Sequence, residues 1–530
     1  MIDVRMFQGF IAVMLLSVAN MPQAICQQKA DIVIRNARIV DGTGNAWYRG
    51  DIAVRGDRIA AIGDLRTWQG TREIDARDRI AAPGFIDVHT HIEGDEADNP
   101  EATNFIYDGV TSVITGNCGS SRDDVEAYYQ WIDSLKVSVN VATLMGQNTV
   151  RRLVMGRANR PATEAEMQRM DSIMQKAMAD GALGLSTGLI YIPGSYTPTE
   201  EIVRLARITA QHGGIYATHM RSEADSVVPA IREALYIGKE AGIPVEISHF
   251  KVSGQQNWGR SRETLAMVED ARRAGLDVTI DQYPYTASST SMSTLFPDWA
   301  LADGQDSINA RLANPLLRDS IKNSMKRSLA RRGLQHWSYA VVAYYSADTT
   351  LNGKSIEQIN IHLEREKTTE AEAELICMMM EKGGASMVFH GMSEEDVQYI
   401  MRYPFNMFAS DASIRVFGRA VPHPRGYGTN ARVLGRYVRE LKVLTLEEAI
   451  RRMTSLPAQR FGLADRGLLR EGMAADIVIF DEKTVEDRST FEAPHQYSSG
   501  FEWVLVNGKI TLEDGRHNGT RNGEILYKRQ

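Results

Sequence analysis

Cysteine is scarce in this chain: Cys26, Cys118 and Cys377 are the only three in 530 residues. Thiols so few and so far apart do not make a disulfide framework. Basic blocks are missing too. The 60 lysines and arginines are dispersed among 67 acidic residues, for a formal charge of −7. A nucleic-acid-binding surface therefore has no electrostatic footprint. The apolar run over 6–19 is too short to cross a bilayer. With Arg5 ahead of it and the small residues Ala24 and Cys26 behind, it reads as a secretory signal peptide over 1–26. That reading makes the mature protein exported, periplasmic or secreted, with no stable membrane insertion. Apolar residues at 43% and charged residues at 24% are ordinary for a globular chain. They exclude disorder, coiled coil and collagen for the bulk of it.

What is present is a β/α alternation. Strand patterns fall at 84–91, 109–118, 137–145, 182–189, 215–219, 244–249, 277–283 and 405–411, with helix-like stretches such as 164–179, 226–241 and 262–274 between them. Eight such strands predict an α/β fold, a closed (β/α)8 TIM-like barrel. The run AADIVI at 474–479 nearly repeats ADIVI at 30–34. Short strands with glycine-rich turns surround both copies, and neither end alone buries two faces. The two chain ends are therefore expected to pair into one small β-sandwich domain. The division reads as 27–82 and 466–530 for that domain and 83–465 for the barrel. The long gap between strands seven and eight holds an insertion at about 290–385, plausible as a lid over the barrel mouth. A rival strand, 387–391, sits just before strand eight.

Four histidines stand at strand ends. His89 and His91 close PGFIDVHTH, and residues i and i+2 of a strand share a face. His219 closes IYATH and His249 closes VEISH, one βα unit apart. At the C-terminal rim of one barrel they converge on a metal-ligand geometry. Cys118 ends the strand after the His-x-His pair. A buried thiol there is either a small hydrophobe or a deprotonated ligand, and its neighbours favour the ligand. Cys377, among Met378, Met379 and Met380, reads as packing. Asp411 closes the eighth strand, where a carboxylate caps a helix, binds metal or moves a proton.

Together these stretches resemble the amidohydrolase superfamily, and within it the D-aminoacylase (N-acyl-D-amino-acid deacylase) family. The matching pieces are PGFIDVHTH, GVTSVITGNCG, GALGLSTGLIYIPG, THMRSE, EISHFK, DQYPY, SD and HPRGYGT, spread over about 30–525. One departure from the wider superfamily is informative. Many of its members carry a metal-bridging lysine on strand four, whereas this strand reads LGLSTG. In D-aminoacylases a cysteine on strand two takes that role, which matches Cys118.

The resemblance implies zinc-dependent hydrolysis of N-acyl-D-amino acids. Cys118, His219 and His249 would hold one tight Zn²⁺, and His89 and His91 would belong to a second, weaker position. Asp411 would be the general base. Lys251, Tyr283 and Arg425 would hold the α-carboxylate of a small-molecule substrate, and Tyr191 would reach the scissile amide. Arg221 and Glu223, in the matching THMRSE stretch, would support the ligands from outside them. The stretch SMSTLFPDWA (291–300) offers Leu295, Phe296 and Trp299 but no cation, which points to an apolar D-side chain. Arg327, Arg331 and Arg332 cluster in the insertion and leave a cationic wall open. An exported dipeptidase acting on a C-terminal D-residue is the nearest rival. It would want an acidic group near the mouth for the α-amine. A hydantoinase-type ring-opening enzyme is disfavoured by the missing lysine, and a metal-binding protein without turnover by the intact ligand set.

Overall fold

Each strand window in the centre of the chain does hold a strand. In the computed structural model, which describes residues 28–528, these are β1 Phe85–Asp87, β2 Val110–Thr115, β3 Asn140–Thr143, β4 Gly184–Gly188, β5 Ile215–His219, β6 Val245–Ile247, β7 Val278–Gln282 and β8 Asn406–Phe408. The signal peptide expected over 1–26 lies outside the described residues. All eight are buried along their length, so none shows the polar-apolar alternation of a strand with one wet face.

The strands pair in parallel in chain order. β1, β2 and β3 form one ladder, Met145–Gly146 carries the chain on to β4, and β4 to β8 form the second. The ring closes at its rim. Thr90 bridges Ala412 in parallel, the Asp411 N–H donates to the His89 carbonyl at 2.9 Å, and the His91 N–H donates to the Ala412 carbonyl at 2.9 Å. The closing bonds thus belong to the residues expected to carry chemistry.

Helices cover the outside for local reasons. Glu164–Ala179 starts in a capping box of Thr163 and Glu166. Val227–Ala241 stops at Gly242, whose φ of 64° a glycine accepts freely. Among the described residues, no helix is long and apolar enough to cross a membrane.

Between β7 and β8 the chain builds a separate body. Its three antiparallel strands run in the order Ala287–Ser291, Ser386–His390, Ala340–Tyr344. The rival strand pattern at 387–391 is thus a strand, but of this sheet and not of the barrel. Helices Gln305–Ala313, Pro315–Arg331, Ile356–His362 and Thr369–Glu381 enclose a core around Trp337, Ile376 and the buried Cys377. The insertion is tied to the barrel mouth where the Trp258 indole N–H donates to the Gly391 carbonyl at 3.1 Å and the Tyr191 hydroxyl meets Thr290 Oγ1 at 2.9 Å.

The two ends of the chain share one nine-stranded sheet. The junction is Ile80–Pro83, which pairs in parallel with the end of Gln28–Ile39 on one side and antiparallel with Ile477–Phe480 on the other. The strands that contain the two near-identical runs therefore flank a single strand, which meets the first of them at Arg38 and Ile39, beyond its repeat. Ile34, Ile39, Ile52, Ile477 and Trp503 pack into a core distinct from that of the barrel.

Candidate metal centre and catalytic cleft

The rim geometry follows from where the strands end. Cys118, His249 and Asp411 each lie just past a strand and take positive φ values of 52°, 37° and 50°. Such backbone is costly for a non-glycine residue and persists where the surroundings over-determine it. Here it turns each chain sharply and aims three functional side chains at the barrel axis.

There the Cys118 Sγ stands 3.3 Å from His89 Nε2, 3.6 Å from His219 Nδ1 and 3.6 Å from His249 Nε2. These spacings test the site for an ion. Tetrahedral zinc at its usual bond lengths to sulfur and imidazole nitrogen sets those donors about 3.6 Å apart. The Cys118–His219 and Cys118–His249 pairs meet that spacing, the three donors lie within 4.8 Å of one another, and all three residues are buried. Three protein ligands with room for a fourth is the arrangement of a catalytic rather than a structural zinc. His89, His91 and Cys118 form an adjoining group, as do His89, His249 and Asp411.

The electrostatics agree. Burial raises the Cys118 thiol, but the charge on His89 and hydrogen bonds from His219, His249 and His89 outweigh it and hold the thiol well below its ordinary value. The ligand is poised as thiolate. Burial likewise raises Asp411. The charges on Arg425 and His89 and a hydrogen bond from His91 overcome this and keep the carboxyl well below the usual carboxylate range. Asp411 lies 3.2 Å from His91 Nε2 and 3.7 Å from His89 Nε2, so it overlooks the centre as an ionised base.

Outer partners fix the rings. Asp281 accepts the His249 backbone N–H at 2.8 Å through one oxygen, and its other oxygen meets His89 Nδ1 at 3.2 Å. Glu223 reaches His249 Nδ1 at 2.7 Å and accepts from Lys251 Nζ at 2.6 Å. Such contacts orient ligating imidazoles. Glu223 stands where the sequence reading put an outer support, whereas Asp281, known beforehand only as part of DQYPY, is brought to the rings by the fold. Arg221 has a different task. It pairs with Glu233 and donates to the carbonyls of Ser195 and Thr197.

A cavity of about 780 Å³ opens over the centre, and Tyr191, Lys251, Tyr283 and Arg425 all line it. Two of them are already engaged. Lys251 is 2% exposed and pairs with Glu223, and Arg425 Nη1 sits 2.8 Å from Asp411. Tyr191 turns its hydroxyl to Thr290 and sets its ring edge-on to His219. The Tyr283 hydroxyl is buried with no hydrogen-bond partner among the described residues, and its ring lies under the Arg425 guanidinium at 4.5 Å.

The insertion supplies the facing wall through Thr290, Thr294, Leu295, Arg332, Tyr339 and Phe389. Two expected wall residues are elsewhere. Phe296 packs into the insertion's own core, because the short helix at Met292–Leu295 turns it inward. Trp299 stands 41% exposed and does not line the cavity. Arg332 does line it, so the wall is not free of cations. Asp95 and Arg415 also line the cavity, and nothing in the sequence patterns singled them out.

The comparisons with known proteins agree with this geometry. The amidohydrolase family model matches residues 72–512. The chain is similar to a D-aminoacylase of Alcaligenes xylosoxydans xylosoxydans, 36% identical over 94% of this chain and 98% of that one. It is also similar to a solved D-aminoacylase studied for one-metal activation and second-metal attenuation at its binuclear centre. That structure is 34% identical over 94% of this chain and all of that one, with a TM-score of 0.81. A third relative is the N-acyl-D-glutamate deacylase of Bordetella bronchiseptica, solved with zinc and a phosphonate mimic of the tetrahedral intermediate. It is 34% identical over 94% of this chain and all of that one, with a TM-score of 0.79.

Proposed function

Because this chain belongs to the amidohydrolase family, and within it to the D-aminoacylases, we infer that it hydrolyses the amide bond of N-acyl-D-amino acids in a zinc-dependent reaction, releasing a carboxylate and a free D-amino acid. The observation that carries this reading is the Cys118, His219 and His249 donor set with ionised Asp411 beside it. Cys118, His219 and His249 are the proposed holders of the tight zinc, and His89 and His91 of a weaker second position. Zinc supplies Lewis acidity toward a carbonyl and lowers the pKa of water.

The chain's own residues do the rest. Asp411 takes the proton of the attacking water and delivers it to the departing amine nitrogen. Lys251, Tyr283 and Arg425 are the proposed grip on the α-carboxylate. The ion pairs of Lys251 with Glu223 and of Arg425 with Asp411 hold both cations in register before substrate arrives, which supports that role. Tyr191 borders the scissile bond. Leu295 and Phe389 support an apolar body for the D-side chain. Export, from the signal peptide read in the sequence, makes an extracellular or periplasmic D-amino-acid derivative the proposed natural substrate.

The deciding experiment is amine release from paired N-acetyl-D- and N-acetyl-L-methionine by the zinc-loaded enzyme and by Asp411→Ala. D-selective release that the variant lacks is the expected result. Release from neither enantiomer with zinc bound would overturn the reading.

One observation favours a second substrate class, dipeptides ending in a D-residue. The Asp95 carboxylate lines the cleft without an ion pair or hydrogen bond to any described residue, where an α-ammonium group would find it. Faster turnover of glycyl-D-methionine than of N-acetyl-D-methionine is its signature.

A further inference from the structure

A guanidinium without an anion stands in the wall of the cleft. Arg415 follows Asp411 on the loop after β8 and lines the same cavity. Among the described residues its side chain has no hydrogen bond and no ion pair, and its Nε is fully buried without a partner. Burial and the neighbouring charge of Arg425 both work against its ionised form. The fold makes room for it all the same. A Cβ at Gly426 would come within 3.1 Å of that Nε, so the glycine leaves the guanidinium its seat. A partly buried cation with no ion pair, answered only by the more distant charges of Asp95 and Asp411, is costly, and a bound anion lowers that cost.

The other guanidiniums of the cleft are already answered. Arg425 has Asp411, Arg221 has Glu233 and Arg152 has Asp123. Arg332 has no carboxylate, but it stacks over Tyr339 at 5.3 Å and also opens on an outer groove where water reaches it. Asp95, the acid facing Arg415, lies beyond ion-pair distance and is itself only half-buried.

The position of Arg415 says which part of a substrate would meet it. Lys251 and Tyr283 rise from β6 and β7, and the seam of β8 and β1 lies further round the ring from Lys251. Arg415 enters at the seam of β8 and β1, beside His91 and Asp95. A substrate with its α-carboxylate at Lys251 and its scissile carbonyl at the centre extends its acyl group away from β6, and the β8–β1 seam is one wall of the cavity that group would meet. We propose that Arg415 is a second anion site, taking a carboxylate carried by the acyl group, so that N-succinyl- and N-glutaryl-D-amino acids are preferred over neutral acyl groups of equal length. This rests on the deacylase reading. The reaction is unchanged: water adds to the acyl carbon, the C–N bond breaks, the nitrogen leaves with a proton, and a dicarboxylate and a D-amino acid are released.

The test compares kcat/KM of the zinc enzyme for N-succinyl- against N-butyryl-D-methionine and N-glutaryl- against N-valeryl-D-methionine. At least one charged member is expected to exceed its neutral partner by about tenfold or more. Arg415→Met should bring that ratio close to one, and Arg415→Lys should keep most of it. Gly426→Ala, which crowds the guanidinium, should reduce it. Should Arg415→Met not fold, competitive inhibition of the wild type by glutarate against valerate reads the same site, with glutarate expected to bind tighter. Neutral chains hydrolysed as well as both charged ones would overturn the proposal and leave the deacylase reading intact. So would preference for glycyl-D-methionine over all of them. Turnover of no N-acyl-D-methionine, N-acetyl included, would remove the reading beneath it.

Discussion

Arg425 Nη1 stands 2.8 Å from Asp411 Oδ2, while the other Asp411 oxygen faces His91 and His89. One cation thus holds the base ionised and lies where the substrate's carboxylate would bind. Arg425→Met removes the largest counter-charge to the burial of Asp411, whose pKa must then rise. Since the base proposed at Asp411 works deprotonated, the acid limb of the kcat/KM–pH profile should move to higher pH. Arg425→Lys should shift it less. Asp411→Asn should lower kcat by about 10²–10⁴ with zinc retained, as metal analysis of the purified variant would read. An unmoved acid limb in Arg425→Met would separate the two residues functionally.

The two thiols among the described residues should answer a chelator differently. Cys118 is held low by the surrounding histidines, whereas burial pushes Cys377 up to about 12. After zinc removal at neutral pH, iodoacetamide should label Cys118 and leave Cys377 untouched. Added zinc should protect Cys118 and restore activity. Peptide mapping by mass spectrometry distinguishes the sites, and labelling of Cys377 first would contradict the assignment.

Glu223 carries two neighbours at once, Lys251 and His249. Glu223→Gln keeps the shape and leaves the 2%-exposed Lys251 ammonium without its counter-charge. Breaking one side of such a pair costs about 3–5 kcal/mol, and loss of an outer partner weakens metal affinity by about 10–100-fold. Zinc titration against a competing chelator measures the second effect. Wild-type affinity in the variant would show that the carboxylate does not support the ring.

The joint between the chain ends should matter to stability without touching chemistry. Ile477 is fully buried opposite Pro83. Ile477→Ala deletes packing at a site that cannot collapse easily, at a cost of about 2–5 kcal/mol. The thermal midpoint should fall while kcat/KM of the folded enzyme stays near wild type.

Much of this was legible beforehand, for physical reasons. Barrel strands buried on both faces recur as short blocks between helix patterns, and a histidine closing such a block has only the rim to occupy. That is why His89, His91, His219, His249 and Asp411 announced themselves. Residues whose task depends on distant neighbours did not. Phe296 reads like pocket lining until a short helix turns it into the insertion's core. Lys251 reads like a free cation until Glu223 arrives from another loop. Arg415 sits in no strand and no pattern, and its meaning comes from the absence of a partner, which only packing reveals.

The pairing of Ile80–Pro83 with Ile477–Phe480 also sets an order of events during synthesis. Strands from residue 28 onward leave the ribosome with one edge open, and they wait for nearly the whole barrel to be made before its neighbour emerges. An unpaired apolar edge is a template for wrong partners, and pairing across so great a sequence distance is slow. The stretch of translation between those two strands is therefore the chain's period of greatest exposure to aggregation. Holding that edge covered is the service a chaperone would render it.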